Sequence, residues 1–195
     1  MPAGRPRAFD TDKALDKALQ VFWRKGYEGT SLPDLTKAMG INRPSLYSAF
    51  GNKEALFRKA LARYEEGPAA FIREALKEPT ARTTAERLLY GAAELLTAPG
   101  SPPGCLIVGS ALSCGKEADP IRKELIAHRA AAEGLIRKRF ERAQSERDLP
   151  KSTNAADLAR FITTTIYGMA VQATGGANEE ELRGVVEAAL RAWPK

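Results

Sequence analysis

The chain has 195 residues, 44% hydrophobic and 28% charged, enough to bury one sizeable core or two small ones and too apolar for a disordered chain. No run approaches the roughly 18 apolar residues of a membrane span, and MPAGRPRAFD lacks the apolar stretch of a secretory signal, so a cytoplasmic protein with no membrane partner is expected. The net charge of +6 is unevenly placed: residues 1–63 hold 12 Lys/Arg against 6 Asp/Glu, whereas residues 64–195 hold 18 of each, the pattern of a polyanion-binding head on a neutral body.

Strand signals are nearly absent and apolar positions recur at helical spacing, which predicts an all-α fold of about nine helices. Gly4-Arg5-Pro6-Arg7 comes first, and Pro6 disfavours helix at Arg5. Arg5 and Arg7 are candidates for a basic arm in a DNA minor groove; a tail giving only nonspecific phosphate attraction fits them equally. Helix 1 is expected over 11–25, with Asp10 as N-cap, Leu15, Leu19 and Phe22 on one stripe, and Gly26 as its stop. In GTSLPDLTKAMG, Ser31 caps a second helix, Pro33 and Asp34 suit its first turn, and Gly40 ends it. Asn42 caps a third helix of about eight residues, and Gly51-Asn52 closes it and caps a fourth.

Two short helices joined by Gly-Ile-Asn and braced by a longer one form a helix-turn-helix, whose second helix enters the major groove by its N-terminal end. Leu46, Ala49 and Phe50 are expected to face inward onto Leu32, Leu35 and Phe22, leaving Arg43, Pro44, Ser45, Tyr47 and Ser48 outward. Arg43 can give guanine two hydrogen bonds, Pro44 and the Tyr47 ring can touch thymine methyls, and the hydroxyls can reach base edges or phosphate. Thr30, Ser31, Tyr47 and Lys53, at helix starts, are candidate phosphate clamps. The other reading is a small helical subdomain with a solvated face; the concentration of basic charge here argues against it.

The stretch FWRKGYEGTSLPDLTKAMGINRPSLYSAFGNKEALFRKAL resembles the DNA-binding domain of TetR-family transcriptional regulators over residues 9–63. The likeness is carried by Phe22 with Gly26-Tyr27, Thr30-Ser31, Gly40, Leu46-Tyr47, Phe50, Asn52-Lys53-Glu54 and Leu56; Thr36 departs from the small residue usual beneath the turn. The resemblance implies a DNA-binding unit over 1–52, with the helix from 53 as connector, and a larger helical body over 53–195 that dimerises and binds an effector.

In that body Gly67-Pro68 should break helix 4, and further helices are expected to about 77 and over 81–97, 118–146, 154–174 and 178–193. The loop APGSPPG precedes a short helix opening at Cys105. The long helix should carry Ile121, Leu125, His128, Leu135, Ile136 and Phe140 inward. LARFITTTIYGMAVQATGG has few charges and should be buried nearly all round, one face against a second copy, with Gly168, Ala170 and Ala173 permitting close approach. Phe161, Ile162, Ile166, Met169, Leu182, Val186, Ala189 and Trp193 are thus the expected homodimer interface. Tyr64, Phe71, Tyr90, Cys105, His128, Phe140 and Tyr167 could line a mostly apolar effector pocket, although each alone reads more readily as ordinary core. The composition suggests a neutral or weakly polar effector.

Cys105, Cys114 and the single histidine, His128, are too few for a zinc set or a disulfide framework, so neither metal nor cofactor is expected. On one helix the two cysteines would be about 13.5 Å apart in rise and half a turn in phase, which excludes a disulfide between them. Cys105 at a helix start could be a reactive thiol, since free N–H groups favour thiolate, and its segment resembles a Gly-Cys-Leu stretch in a TetR subgroup that includes electrophile and oxidant sensors. The plainer reading, a small buried hydrophobe at a helix start, is preferred to sensing. The leading expectation is a ligand-released homodimeric repressor of a palindromic double-stranded operator. The alternatives are a regulator of the same fold switched through Cys105, and, remotely, a small thiol enzyme pairing Cys105 with His128. No Ser/His/Asp, paired-carboxylate or Gly-rich phosphate constellation is present, so an enzyme is not expected.

Overall fold

The computed structural model describes residues 9–112 and 118–194. Among them are ten α-helices and no strand: α1 (Thr11–Lys25), α2 (Leu32–Met39), α3 (Arg43–Phe50), α4 (Lys53–Glu66), α5 (Phe71–Ala75), α6 (Ala81–Thr97), α7 (Leu106–Leu112), α8 (Asp119–Ser145), α9 (Ala155–Thr174) and α10 (Glu179–Arg191). The expected N-caps are present. Asp10 Oδ1 accepts from the amides of Asp12 and Lys13 at 3.0 and 3.1 Å, Asn42 from Ser45 at 2.9 Å, and Asn52 from Ala55 at 2.8 Å. Each satisfies an amide that the first helical turn leaves open. Gly40 sits at φ +70°, ψ 32°, the left-handed conformation that ends α2 within one residue and permits the tight turn into α3.

Pro68 ends α4 as expected and starts a single 3-10 turn, Pro68–Ala70, that leads into the short α5. Thr80 caps α6 through a reciprocal pair with Thr83.

Two cores result. One gathers Phe22, Leu35, Leu46, Phe50, Leu56, Phe57 and Tyr64 from α1 to α4 and continues into the body through Leu106, Ile121 and Leu125. Its aromatic centre is tight, with Phe57 edge-on to Phe22 and to Tyr27, each at 5.1 Å between ring centroids. The second is built from α6, α8, α9 and α10 around Leu88, Leu89, Phe140, Ile162, Met169 and Val186.

Two expectations for the body need correction. Leu135 does not enter the core: it is 50% exposed, because the adjacent Ile136 points at the core and successive helical residues diverge by about 100°. Nor do all the residues expected at the dimer interface lie on the outer face of α9. Ile162 and Met169 lie in this chain's own core, while Phe161 and Val171 are 42% and 51% exposed.

Candidate nucleic-acid interface and cavity

The outward face of α3 is as the spacing predicts. Leu46 and Phe50 are buried, and Arg43, Pro44, Tyr47 and Ser48 are exposed, Tyr47 at 48%; Ser45 is half-buried. An eight-residue helix anchored by two buried side chains presents this set rigidly, with its positive N-terminal end leading. Around it, Ser31 is engaged with its own helix: its hydroxyl accepts from the Asp34 amide at 3.2 Å and donates to Asp34 Oδ2 at 2.7 Å. Lys25 Nζ also reaches Asp34, at 2.7 Å, and these contacts hold the Asp34 carboxyl well below the usual carboxylate range. Lys53 Nζ lies 4.5 Å from the centre of the Tyr27 ring. Thr30 is different: its side chain is 1% exposed and its hydroxyl donates to the Gly26 carbonyl at 2.6 Å, so that hydroxyl does not face a phosphate. Arg5 and Arg7 lie outside the described residues.

Between α4, α5, α6, α8 and α9 is a cavity of about 290 Å³ whose wall is largely apolar. Tyr64, Phe71, Cys105, His128 and Tyr167 of the expected set line it, joined by Glu65, Ile72, Leu88, Leu95, Arg129, Leu135 and Ile166. Tyr90 and Phe140 do not. Phe140 is fully buried and meets Trp193 edge-on at 5.8 Å, whereas Tyr90 lies beneath Arg183 on a separate surface cleft. His128 Nδ1 is 2.8 Å from Glu65 Oε1, so the histidine pairs with a carboxylate rather than with Cys105. Cys105 immediately precedes α7, with its sulfur 3.5 Å from the Tyr64 hydroxyl; burial and this sulfur push the Tyr64 phenol well up, keeping it neutral. Cys114 lies outside the described residues.

Three residues passed over in the sequence join the two regions. Trp23 of α1 donates Nε1–H to the Gly104 carbonyl at 2.8 Å and meets Tyr64 edge-on at 4.8 Å. Gly104 holds φ +86°, and a Cβ there would stand 2.5 Å from Thr174 Cγ2. Glu65, the half-exposed partner of His128, is the third. Nothing in the local sequence pattern pointed to them, because each is defined by a partner more than sixty residues away.

The N-terminal residues 14–60 match the family model described as bacterial regulatory proteins, tetR family, and residues 84–192 match the tetracyclin repressor-like C-terminal domain. The chain belongs to the TetR family. Among TetR-family relatives, it is 34% identical to the HTH-type transcriptional repressor ComR of Escherichia coli K12, covering 98% of this chain and 92% of that one. It is 30% identical to the repressor BdcR of the same organism, over 92% and 86% of the two chains. A cysteine-substituted CifR bound to 26-base-pair operator DNA superimposes with a TM-score of 0.94 at 45% identity, over 98% and 100% of the two chains. The protein is a DNA-binding transcriptional repressor of the TetR type. Among the described residues, no helix is long and apolar enough to cross a membrane.

Proposed function

We propose that the repressor acts as a homodimer, holds a palindromic operator with two copies of α3 in successive major grooves, and releases it when a small molecule fills the cavity. The DNA-binding unit is 1–52 and the effector and dimer unit 53–195. Tyr64 carries the reading: it lines the cavity and packs in the core that seats α1 to α3. A molecule that displaces its ring must disturb the recognition unit, because a close-packed core does not absorb such a shift locally.

Arg43 supplies base recognition; Pro44, Ser45, Tyr47 and Ser48 complete the groove surface; Ser31, Lys53 and the amide ends of α2 and α4 position phosphate. Arg5 and Arg7 extend the contact into the flanking minor groove.

The partner copy packs on the exposed stripe of α9 and α10: Phe161, Gly168, Val171, Gly184 and Val185. Spacings of seven and three residues put Phe161, Gly168 and Val171 on one helix face. Ile162, Met169, Leu182, Val186 and Ala189, expected at the interface from their apolarity, are buried within the chain and support this stripe from beneath. Ile166 faces the cavity and Trp193 packs on Phe140.

Thiol switching through Cys105 is the weaker reading, since its half-buried sulfur lies against the Tyr64 hydroxyl and His128 is engaged by Glu65 rather than by the thiol. Selecting duplexes from random DNA with the purified protein tests the main reading. A two-fold sequence bound by a dimer supports it; monomeric binding to DNA without preference rejects it.

A further inference from the structure

We propose that the effector is a small, mainly apolar carboxylic acid, bound as its anion, and that Arg129 recognises the carboxylate. This rests on the reading of the cavity as the effector site and assigns that site a ligand class. Arg129 lines the cavity with its Nε buried and without a hydrogen-bond partner, and it forms no ion pair among the described residues. Its guanidinium instead lies over the Tyr167 ring, 5.9 Å from the ring centre, which orients the plane without using its donors.

A buried guanidinium N–H left unpaired is costly, and a carboxylate set side-on would take Nε–H and a neighbouring Nη–H in one fork. The other charges facing this region do not compete. Glu65, the acidic residue on the described wall, is held by His128 at 2.8 Å, and the nearby Glu133 carboxylate turns to Arg160 at 3.3 Å and to the Thr163 hydroxyl. Arg73 adds a second cation at the exposed end of the wall.

Burial pushes the Tyr167 phenol up to about 12, so its hydroxyl remains a donor at neutral pH. The remaining wall is aliphatic and aromatic, and with about 290 Å³ the cavity holds a small ring or short chain rather than a large polyanion. Composition alone pointed to a neutral or weakly polar molecule; the unpaired guanidinium is what changes the assignment.

The test is calorimetric titration of the full-length dimer with 4-phenylbutyrate, 4-phenylbutanamide and 4-phenylbutylamine, which share one apolar body and differ in charge. The acid should bind about tenfold or more tightly than the amide, and the amine most weakly. In Arg129→Met the acid should fall to the level of the amide, whose own affinity stays unchanged and shows that the cavity is intact. Arg129→Lys should retain part of the preference, which a packing role would not give.

Equal affinity for acid and amide in the wild type, a preference that survives in Arg129→Met, or no binding of any of the three overturns the proposal. Operator release is read separately, with a duplex from the selection. If the amide binds and releases DNA as well as the acid, the ligand class is wrong and ligand release stands. If the acid binds through Arg129 and leaves DNA bound, ligand release is what fails.

Discussion

Trp23 and Gly104, 81 residues apart, are joined by a buried hydrogen bond of 2.8 Å that ties the first helix of the recognition unit to the loop beside Cys105. The indole is also edge-on to Tyr64, so the cavity wall, this loop and α1 meet at one point. Trp23→Phe keeps an aromatic ring there but leaves the Gly104 carbonyl unpaired, at a cost of about 1–3 kcal/mol. Urea unfolding at fixed protein concentration should show that loss, and effector should release less DNA from the variant than from the wild type. An unchanged midpoint together with full release would mean that the bond transmits nothing.

Gly104→Ala should be worse tolerated than an ordinary loop substitution. Its φ of +86° is unfavourable for a side chain, and the new Cβ would stand 2.5 Å from Thr174 Cγ2 and 3.2 Å from the Ala170 carbonyl. A loss of roughly 1–3 kcal/mol is expected. Thr174→Ser, which removes Cγ2, should restore part of it in the double variant; no restoration would place the whole cost in the backbone.

On DNA, Arg43→Ala should cost about 1–3 kcal/mol on the selected operator and relax sequence preference, since a lost base contact is felt only where the base is right. Lys53→Ala should weaken all duplexes alike and reduce the salt slope by about one. Binding titrations on cognate and random duplexes at several salt concentrations distinguish the two; equal loss on both duplexes for both variants removes the division of roles.

The exposed apolar stripe gives a charge-insertion test of assembly. Phe161→Glu with Val185→Glu should leave the helical content intact, because both side chains stand outside the chain's own core at 42% and 41% exposure. A second copy would then have to bury carboxylates without partners, so sedimentation should show a monomer and operator binding should collapse. A dimer that persists would move the interface elsewhere.

Asp34 should make stability depend on pH in the acid range. The Lys25 ammonium, together with the Ser31 hydroxyl and amide, pulls its folded pKa far below the ordinary 3.8. Its contribution is therefore complete above 3.8 and is lost as pH falls through the depressed folded value. The carboxyl is solvent-accessible, so the effect is small. Unfolding free energy followed below pH 4 should fall less steeply for Asp34→Asn than for the wild type; parallel curves would show that the ion pair adds nothing.

The helix boundaries were legible in the sequence because they are set within four residues. Asp10, Ser31, Asn42 and Asn52 cap helices wherever a side-chain oxygen can reach the second or third amide, and Gly40 and Pro68 end them by backbone geometry alone. The armed face of α3 was legible for the same reason, since eight residues offer only one way to bury Leu46 and Phe50 together. What the sequence could not decide was which of two apolar faces meets which neighbour. Ile162 and Phe161 are equally hydrophobic, yet one is buried against α6 and α8 and the other faces solvent; Thr30 is polar and fully buried; Phe140 fills the core where Tyr64 lines the cavity. Except for Thr30, whose hydroxyl bonds four residues back, those choices depend on partners tens of residues distant. The same holds for the bond from Trp23 to Gly104 and for the unpaired Arg129: neither leaves a local trace in the chain, because each is made by the approach of helices whose packing is settled only when the whole fold closes.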